Sequence, residues 1–138
     1  MSNKFRLLNY STYPEKTGTL IPFYANKSFP KKFKIKRFFI IFGKKKFPRA
    51  DHAHKKTSQI IISLRGKIKI IIFYKNKKET VELDPLKRKA LYVPPYNWIQ
   101  IKFKNNQDSL LTLCDYKYDK KEYISNFNIF KNMSSKSK

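Results

Sequence analysis

His52 and His54 are the only histidines among 138 residues, and one residue separates them. In an extended strand, positions i and i+2 point to one face, so the two imidazoles would share a wall. With an ordinary pKa of about 6.5, imidazole takes and returns protons near neutral pH. Two on one wall suit proton transfer at neighbouring atoms of a single substrate, and His54 is expected to be the carbon base, with His52 handling hydroxyl protons. Arg49, and secondarily Arg37, are candidates for an anionic group, because a planar guanidinium pairs with phosphate oxygens bidentately. Gln59 can hydrogen-bond a polar ligand or orient a histidine. Lys55 is placed with these binding residues, and Trp98 and Tyr92 are candidates to wall the pocket. Two neutral imidazoles and an amide make a poor divalent-cation site, which wants three or four good donors and usually a carboxylate. No metal and no cofactor are expected. Cys114 reads as a small buried apolar residue.

The histidines precede an apolar run, Gln59–Leu64, which ends at Arg65-Gly66 and is followed by Lys67–Tyr74. Such β-branched and aromatic stretches read as strands. Others are Phe5–Ser11, Thr19–Tyr24, Lys36–Phe42, Glu79–Leu83, Ala90–Val93, Trp98–Lys104 and Ser109–Asp115. Turns are expected at Tyr13–Gly18, Gly43–Lys46 and Lys75–Lys78. Short strands at this spacing predict an antiparallel sandwich or barrel. Tyr123, Ile124, Phe127 and Phe130 fall on one helical stripe, so a helix is predicted over Lys120–Phe130. Residues 1–132 are expected to form one domain, and 133–138 a disordered polar tail.

The net charge of +23 invites a nucleic-acid or membrane reading. The lysines, however, are scattered end to end, and only Arg6, Arg37, Arg49, Arg65 and Arg88 are arginine. The over-used Lys, Asn, Ile, Phe and Tyr are residues of A/T-only codons, so the lysine reads as composition on solvated faces. Neither nucleic acid nor membrane is expected as a partner. No run reaches transmembrane length, and the N-terminus lacks a signal-peptide core. A single cysteine fits a reducing cytoplasm.

His52-x-His54, Gln59 and Gly66 resemble the first motif of the cupin superfamily, which implies an all-β, RmlC-like jelly-roll barrel, here with a short C-terminal helix. Metal-binding cupins add a histidine from a second motif. Here Pro94-Pro95-Tyr96-Asn97-Trp98-Ile99 matches that stretch, with Ile99 in the histidine's place. Arg49, His52-Ala53-His54-Lys55-Lys56, Gln59, Tyr92-Val93-Pro94-Pro95 with Trp98, and Tyr118-Asp119-x-x-Glu122-Tyr123-Ile124 together resemble the WxcM-like cupins. These are nucleotide-sugar 3,4-ketoisomerases, and the likeness spans Leu7 to Phe130. It implies action on dTDP-4-keto-6-deoxyglucose, ahead of an aminotransferase in deoxy-amino-sugar synthesis for surface glycans. It also implies a homodimer, in which Phe5–Tyr10 and Thr19–Tyr24 are the segments able to cross to the partner. The chain departs from the family pattern at Ala50, usually glycine, and at Glu15-Lys16-Thr17-Gly18, where an arginine is missing. It departs again at Phe38-Phe39-Ile40, where a tyrosine is lost, and at Ile99. An epimerase with a tyrosine acid, or a non-catalytic cupin binding a nucleotide sugar, are the competing readings.

Overall fold

The computed structural model of the chain describes residues 3–25, 27–87 and 89–136. Its strands are β1 (Arg6–Asn9), β2 (Tyr13–Glu15), β3 (Gly18–Leu20), β4 (Arg37–Phe42), β5 (Arg49–His54), β6 (Gln59–Arg65), β7 (Ile68–Tyr74), β8 (Lys77–Leu83), β9 (Lys89–Val93), β10 (Trp98–Phe103), β11 (Ser109–Cys114) and β12 (Tyr123–Ile124). One helix, α1 (Phe127–Lys136), follows them. The strands form two five-stranded antiparallel sheets, ordered β1-β9-β6-β11-β4 and β12-β5-β10-β7-β8, and a separate β2-β3 hairpin.

Alternation along each strand sets the layers. Ile99, Ile101 and Phe103 of β10 point between the sheets, joining Ile61, Ile68, Ile70, Ile72, Leu91 and Leu110. Each such buried side chain contributes roughly 1.5–3 kcal/mol. The pairs Lys4–Glu79 and Lys104–Glu82 are exposed and screened by solvent, so the aliphatic layer decides stability. The outer face of the first sheet carries Ile60, Ile62 and Leu113 beneath Phe33 and the half-buried Phe23 and Phe29. The outer face of the second carries Trp98 and Ala53 beneath Ile124 and Phe130.

The jelly-roll expectation is met by two facing antiparallel sheets and a C-terminal helix, but the barrel does not close. β4 and β12 are free edges of different sheets, joined by a side-chain contact from Arg37 Nη2 to Tyr123 Oη at 3.4 Å rather than by a backbone ladder. The expected turn at Tyr13–Gly18 is instead a hairpin, with Tyr13 opposite Leu20 and Glu15 opposite Gly18. The helix predicted over Lys120–Phe130 begins only at Phe127. Asn126 caps it, its Oδ1 accepting from Ile129 N at 3.0 Å. Before it, Lys120–Glu122 is a 3-10 turn capped by Asp119, and Tyr123-Ile124 pairs with His54 and Ala53 of β5. Strand pairing overrides the helical stripe there. α1 continues through Met133 to Lys136, so the expected tail is helical at those positions; residues 137–138 lie outside the described residues.

Candidate active site

β5 carries the histidines, and an irregularity in its pairing with β10 aims them. The register shifts between Ile99 and Gln100, and the residues opposite, Ala50 and Asp51, both adopt left-handed backbone (φ 69° and 59°). The Asp51 carboxylate holds the bulge from outside, accepting from Trp98 Nε1 at 3.1 Å and Gln100 Nε2 at 2.8 Å. After the bulge His52 lies opposite Ile99, and both line the space between the sheets.

The rings of His52 and His54 stand edge to face, centroids 4.9 Å apart, as the shared-face expectation requires. His52 Nδ1 lies 3.1 Å from the Ala50 carbonyl oxygen. A carbonyl only accepts, so Nδ1 carries the hydrogen and Nε2 is left with a free lone pair. His54 Nδ1 lies 2.5 Å from Glu122 Oε2, which makes the same assignment, and its buried Nε2 has no hydrogen-bond partner among the described residues. Burial, and then the adjacent His54, push the His52 pKa down to about 4. Burial likewise lowers that of His54, against the pull of Glu122. Both rings are neutral bases at pH 7.

Glu122 is buried yet ionised. Burial pushes its carboxyl up, but hydrogen bonds from His54, Lys56 and Thr57 outweigh it and leave the pKa below the ordinary value. Oε1 accepts from the backbone N–H groups of Lys56 (2.9 Å) and Thr57 (3.0 Å), and Oε2 from the Thr57 hydroxyl (2.8 Å) as well as from His54. The carboxylate is filled on every side, and His54 is locked in place by it.

In front of His52 lies a cavity of about 230 Å³. Its floor is buried: Gln59, Ile61, Ile99, Ile101 and Thr112. Its half-buried or exposed wall is Phe39, Ile41, Arg49, Ala50, His52 and Tyr123. The unclosed seam between β4 and the β5–β12 edge is therefore the mouth. The volume falls below the ~300–1,000 Å³ of pockets that swallow drug-sized ligands. It admits one ring of a larger molecule and leaves the remainder outside. A larger depression of about 470 Å³ lies on the opposite face of β5, between Trp98, Phe73 and the start of α1. Its only ionisable group, Asp51, is already committed to the bulge.

The structure brings His52, Arg49 and Gln59 together at the cavity and sets His54 directly behind His52. Arg49 is exposed at the rim and forms no ion pair among the described residues. Arg37 stands at the mouth, its guanidinium between the rings of Phe39 and Tyr118, 5.6 Å from each centroid. Three expected residues lie elsewhere. Trp98 is 2% exposed and packs on Phe127 and Phe130 behind the sheet, because it alternates with the inward Ile99. Tyr92 lies on the outer face of the first sheet beside Phe33, under the Arg6 guanidinium, because it is opposite the outward Ile60. Lys55 is exposed; its backbone N–H bonds to the Glu122 carbonyl. Glu122 and Tyr123 take their places. Both stand in the motif from Tyr118 to Ile124 but were not expected at the site, because a helix over 120–130 would have turned Glu122 to solvent. The signal that could have found them is an acidic residue, rare in this chain, directly before two apolar ones.

A profile of the family described as FdtA, WxcM-like, C-terminal, matches residues 3–135. The chain is 31% identical over 137 residues to a TDP-4-oxo-6-deoxy-alpha-D-glucose-3,4-oxoisomerase of Aneurinibacillus thermoaerophilus, covering 99% of this chain and 95% of the relative. Among solved structures it is similar to the 3,4-ketoisomerase QdtA of Thermoanaerobacterium thermosaccharolyticum. A histidine-to-asparagine mutant of that protein, in complex with TDP-4-keto-6-deoxyglucose, superposes with a TM-score of 0.89 at 29% identity, over 99% of this chain and 98% of the other. The WlaRB TDP-quinovose 3,4-ketoisomerase of Campylobacter jejuni gives a TM-score of 0.84 at 30% identity, over 95% and 99%.

Proposed function

The chain belongs to the WxcM-like, C-terminal family, and from that premise we propose that it is a nucleotide-sugar 3,4-ketoisomerase. The reading is conversion of dTDP-4-keto-6-deoxyglucose to a dTDP-3-keto-6-deoxyhexose by histidine acid–base catalysis, in deoxy-amino-sugar synthesis for surface glycans. The observation that carries it is the cavity-facing His52, whose Nδ1–H is tied to the Ala50 carbonyl so that Nε2 is the base. A ketone acidifies the C–H on the neighbouring carbon. His52 takes the C3 proton, the electron pair moves into the C4 carbonyl to form an enediolate, a proton passes from O3 to O4, and the imidazolium returns its proton at C4. His52, not His54, is the carbon base, reversing the order expected from sequence, because His52 lines the cavity. His54, aligned by Glu122, supports it from behind.

The size of the cavity supports a sugar ring inside and a nucleotide outside, with Arg49 at the rim for the diphosphate and Gln59 on the sugar. The donors present do not fit a divalent cation. Ile99 packs beside His52 where another ligand would have to stand, and the lone pairs of Glu122 are taken. No described helix is long and apolar enough to cross a membrane. The buried, unpaired Cys114 supports a reducing cytoplasm as its place of action.

The test is incubation with dTDP-4-keto-6-deoxyglucose in deuterated water after exhaustive dialysis against a chelator, coupled to a 3-aminotransferase. A 3-amino sugar is expected, at undiminished rate, with solvent deuterium at C4 to the extent that the His52 imidazolium exchanges its proton before returning it. Inversion of a ring carbon without carbonyl migration would make it an epimerase, and no change a binder. Activity lost on dialysis and restored by one metal would overturn the acid–base reading.

A further inference from the structure

Carbonyl migration moves a proton between two oxygens as well as between two carbons, and the histidines account only for the carbons. The second carrier should be a hydroxyl beside His52, with its hydrogen free to enter the cavity. Tyr123 meets this description. Its ring lies 5.0 Å from that of His52 and 4.3 Å from that of His54, and it lines the cavity opposite Phe39. Pairing with His54 across β5 and β12 fixes its position. Arg37 Nη2 donates to its oxygen at 3.4 Å. A guanidinium cannot accept a hydrogen bond, so the phenolic hydrogen must point elsewhere. Arg37 in turn has no carboxylate partner among the described residues, and its buried Nε is unsatisfied. Its charge is left to act on Tyr123.

We propose that Tyr123 is a catalytic residue, carrying protons between the two neighbouring sugar oxygens, and that Arg37 positions it. The inference rests on the ketoisomerase reading. As His52 removes the C3 proton, Tyr123 gives its proton to O4, leaving a phenolate beside Arg37 and a neutral enediol. The phenolate then takes the O3 proton while the His52 imidazolium protonates C4. C3 and O3 each lose one hydrogen, C4 and O4 each gain one, and both residues return to their starting state. Burial pushes the Tyr123 phenol up, with Arg37 opposing, so the resting hydroxyl is protonated and ready to donate. Tyr92 and Tyr118, the phenols an epimerase reading would draw on, are less suited. The first lies outside the sandwich, and the second is exposed beyond Arg37.

The test is Tyr123→Phe, which keeps every ring contact and removes only the hydroxyl. Losing a positioned acid costs about 10²–10⁴ in rate, so kcat should fall at least about 100-fold. KM and TDP binding should change less than about threefold, since the loss belongs to the transition state. A variant with kcat within about threefold of the parent overturns the role of Tyr123. A parent that leaves the keto sugar unchanged refutes the ketoisomerase reading instead. Should the variant fail to fold, 3-fluorotyrosine at position 123 lowers the phenol pKa without removing it. The alkaline limb of kcat should then move to lower pH, and an unmoved limb overturns the proposal. The titratable and charged groups facing Tyr123 are Arg37, His52, His54, Cys114, Tyr118 and Glu122. None of them carries the fluorine, so a moved limb belongs to Tyr123.

Discussion

At the scale of single residues, the site works by fixing which nitrogen is bare. His52 and His54 each spend Nδ1–H on a fixed acceptor, so each keeps an unprotonated Nε2. His52→Asn should therefore fold and lose about 10²–10⁴ in kcat. His54→Asn, whose amide can still donate to Glu122, should also fold. Near-normal turnover in both would remove the assigned site. The pH dependence follows from the His52 pKa of about 4. The free enzyme keeps its base as pH falls through 6.5, so the acid limb of kcat/KM should lie nearer 4 than 6.5. Stability moves the other way. Below pH 6.5 the unfolded chain takes up imidazole protons that the native state refuses, so the fold should weaken progressively between about 6.5 and 4. Melting curves across that range check the sign. Arg49 and Gln59 were candidates from side-chain chemistry alone, whereas the shared face of His52 and His54 was legible because i, i+2 spacing specifies a strand face. Which histidine meets the cavity was not, because it depends on a bulge and on a carboxylate 68 residues away.

At the scale of elements, β5 shows where local chemistry and architecture disagree. Ala50 sits at φ 69°, a conformation that costs an L-residue about 1–2 kcal/mol. Glycine avoids that strain but loses about 0.5–1 kcal/mol of chain entropy. Ala50→Gly is expected to raise the melting temperature by roughly 2–4 °C, read by calorimetry. A lower melting temperature would show that no strain is held there. The central strands were legible nearly to the residue, since β6, β7, β10 and β11 are apolar runs bounded by turn residues. The C-terminal segment was misread because Tyr123, Ile124, Phe127 and Phe130 satisfy a helical stripe while Tyr123 and Ile124 serve a strand. Periodicity records which side chains are buried, not by which element. Only the Asn126 cap, read together with the pairing to β5, separates the two cases.

At the scale of the whole molecule, two features support a homodimer. The edge strand β4 presents Phe38, Ile40 and Phe42 outward, at 65%, 48% and 68% exposure, an apolar row that an edge rarely leaves bare. Among the described residues the β2–β3 hairpin pairs only with itself, with Tyr13 and Leu20 exposed. β1 is already paired to β9 of its own chain, so the hairpin is the better candidate to cross to a partner. Sedimentation at micromolar concentration should show about twice the 16.6 kDa chain mass. Phe38→Lys combined with Phe42→Lys should shift it toward one chain, and a parent sedimenting as one chain refutes the dimer. The end of the sandwich away from the histidines is sealed. Gly43 leaves no room for a Cβ against Phe103, nor Gly66 against Asp108, while the Asp108 carbonyl takes the Gly43 N–H at 2.8 Å. With a buried floor and that end packed, the described residues leave the cavity open at the seam between β4 and the β5–β12 edge. If that seam serves both ways, the isomer that leaves uses the passage by which the next keto sugar arrives, and the two queue for the same threshold. Among the described residues no second element gates that passage, so direction comes from whatever draws the 3-keto sugar away outside.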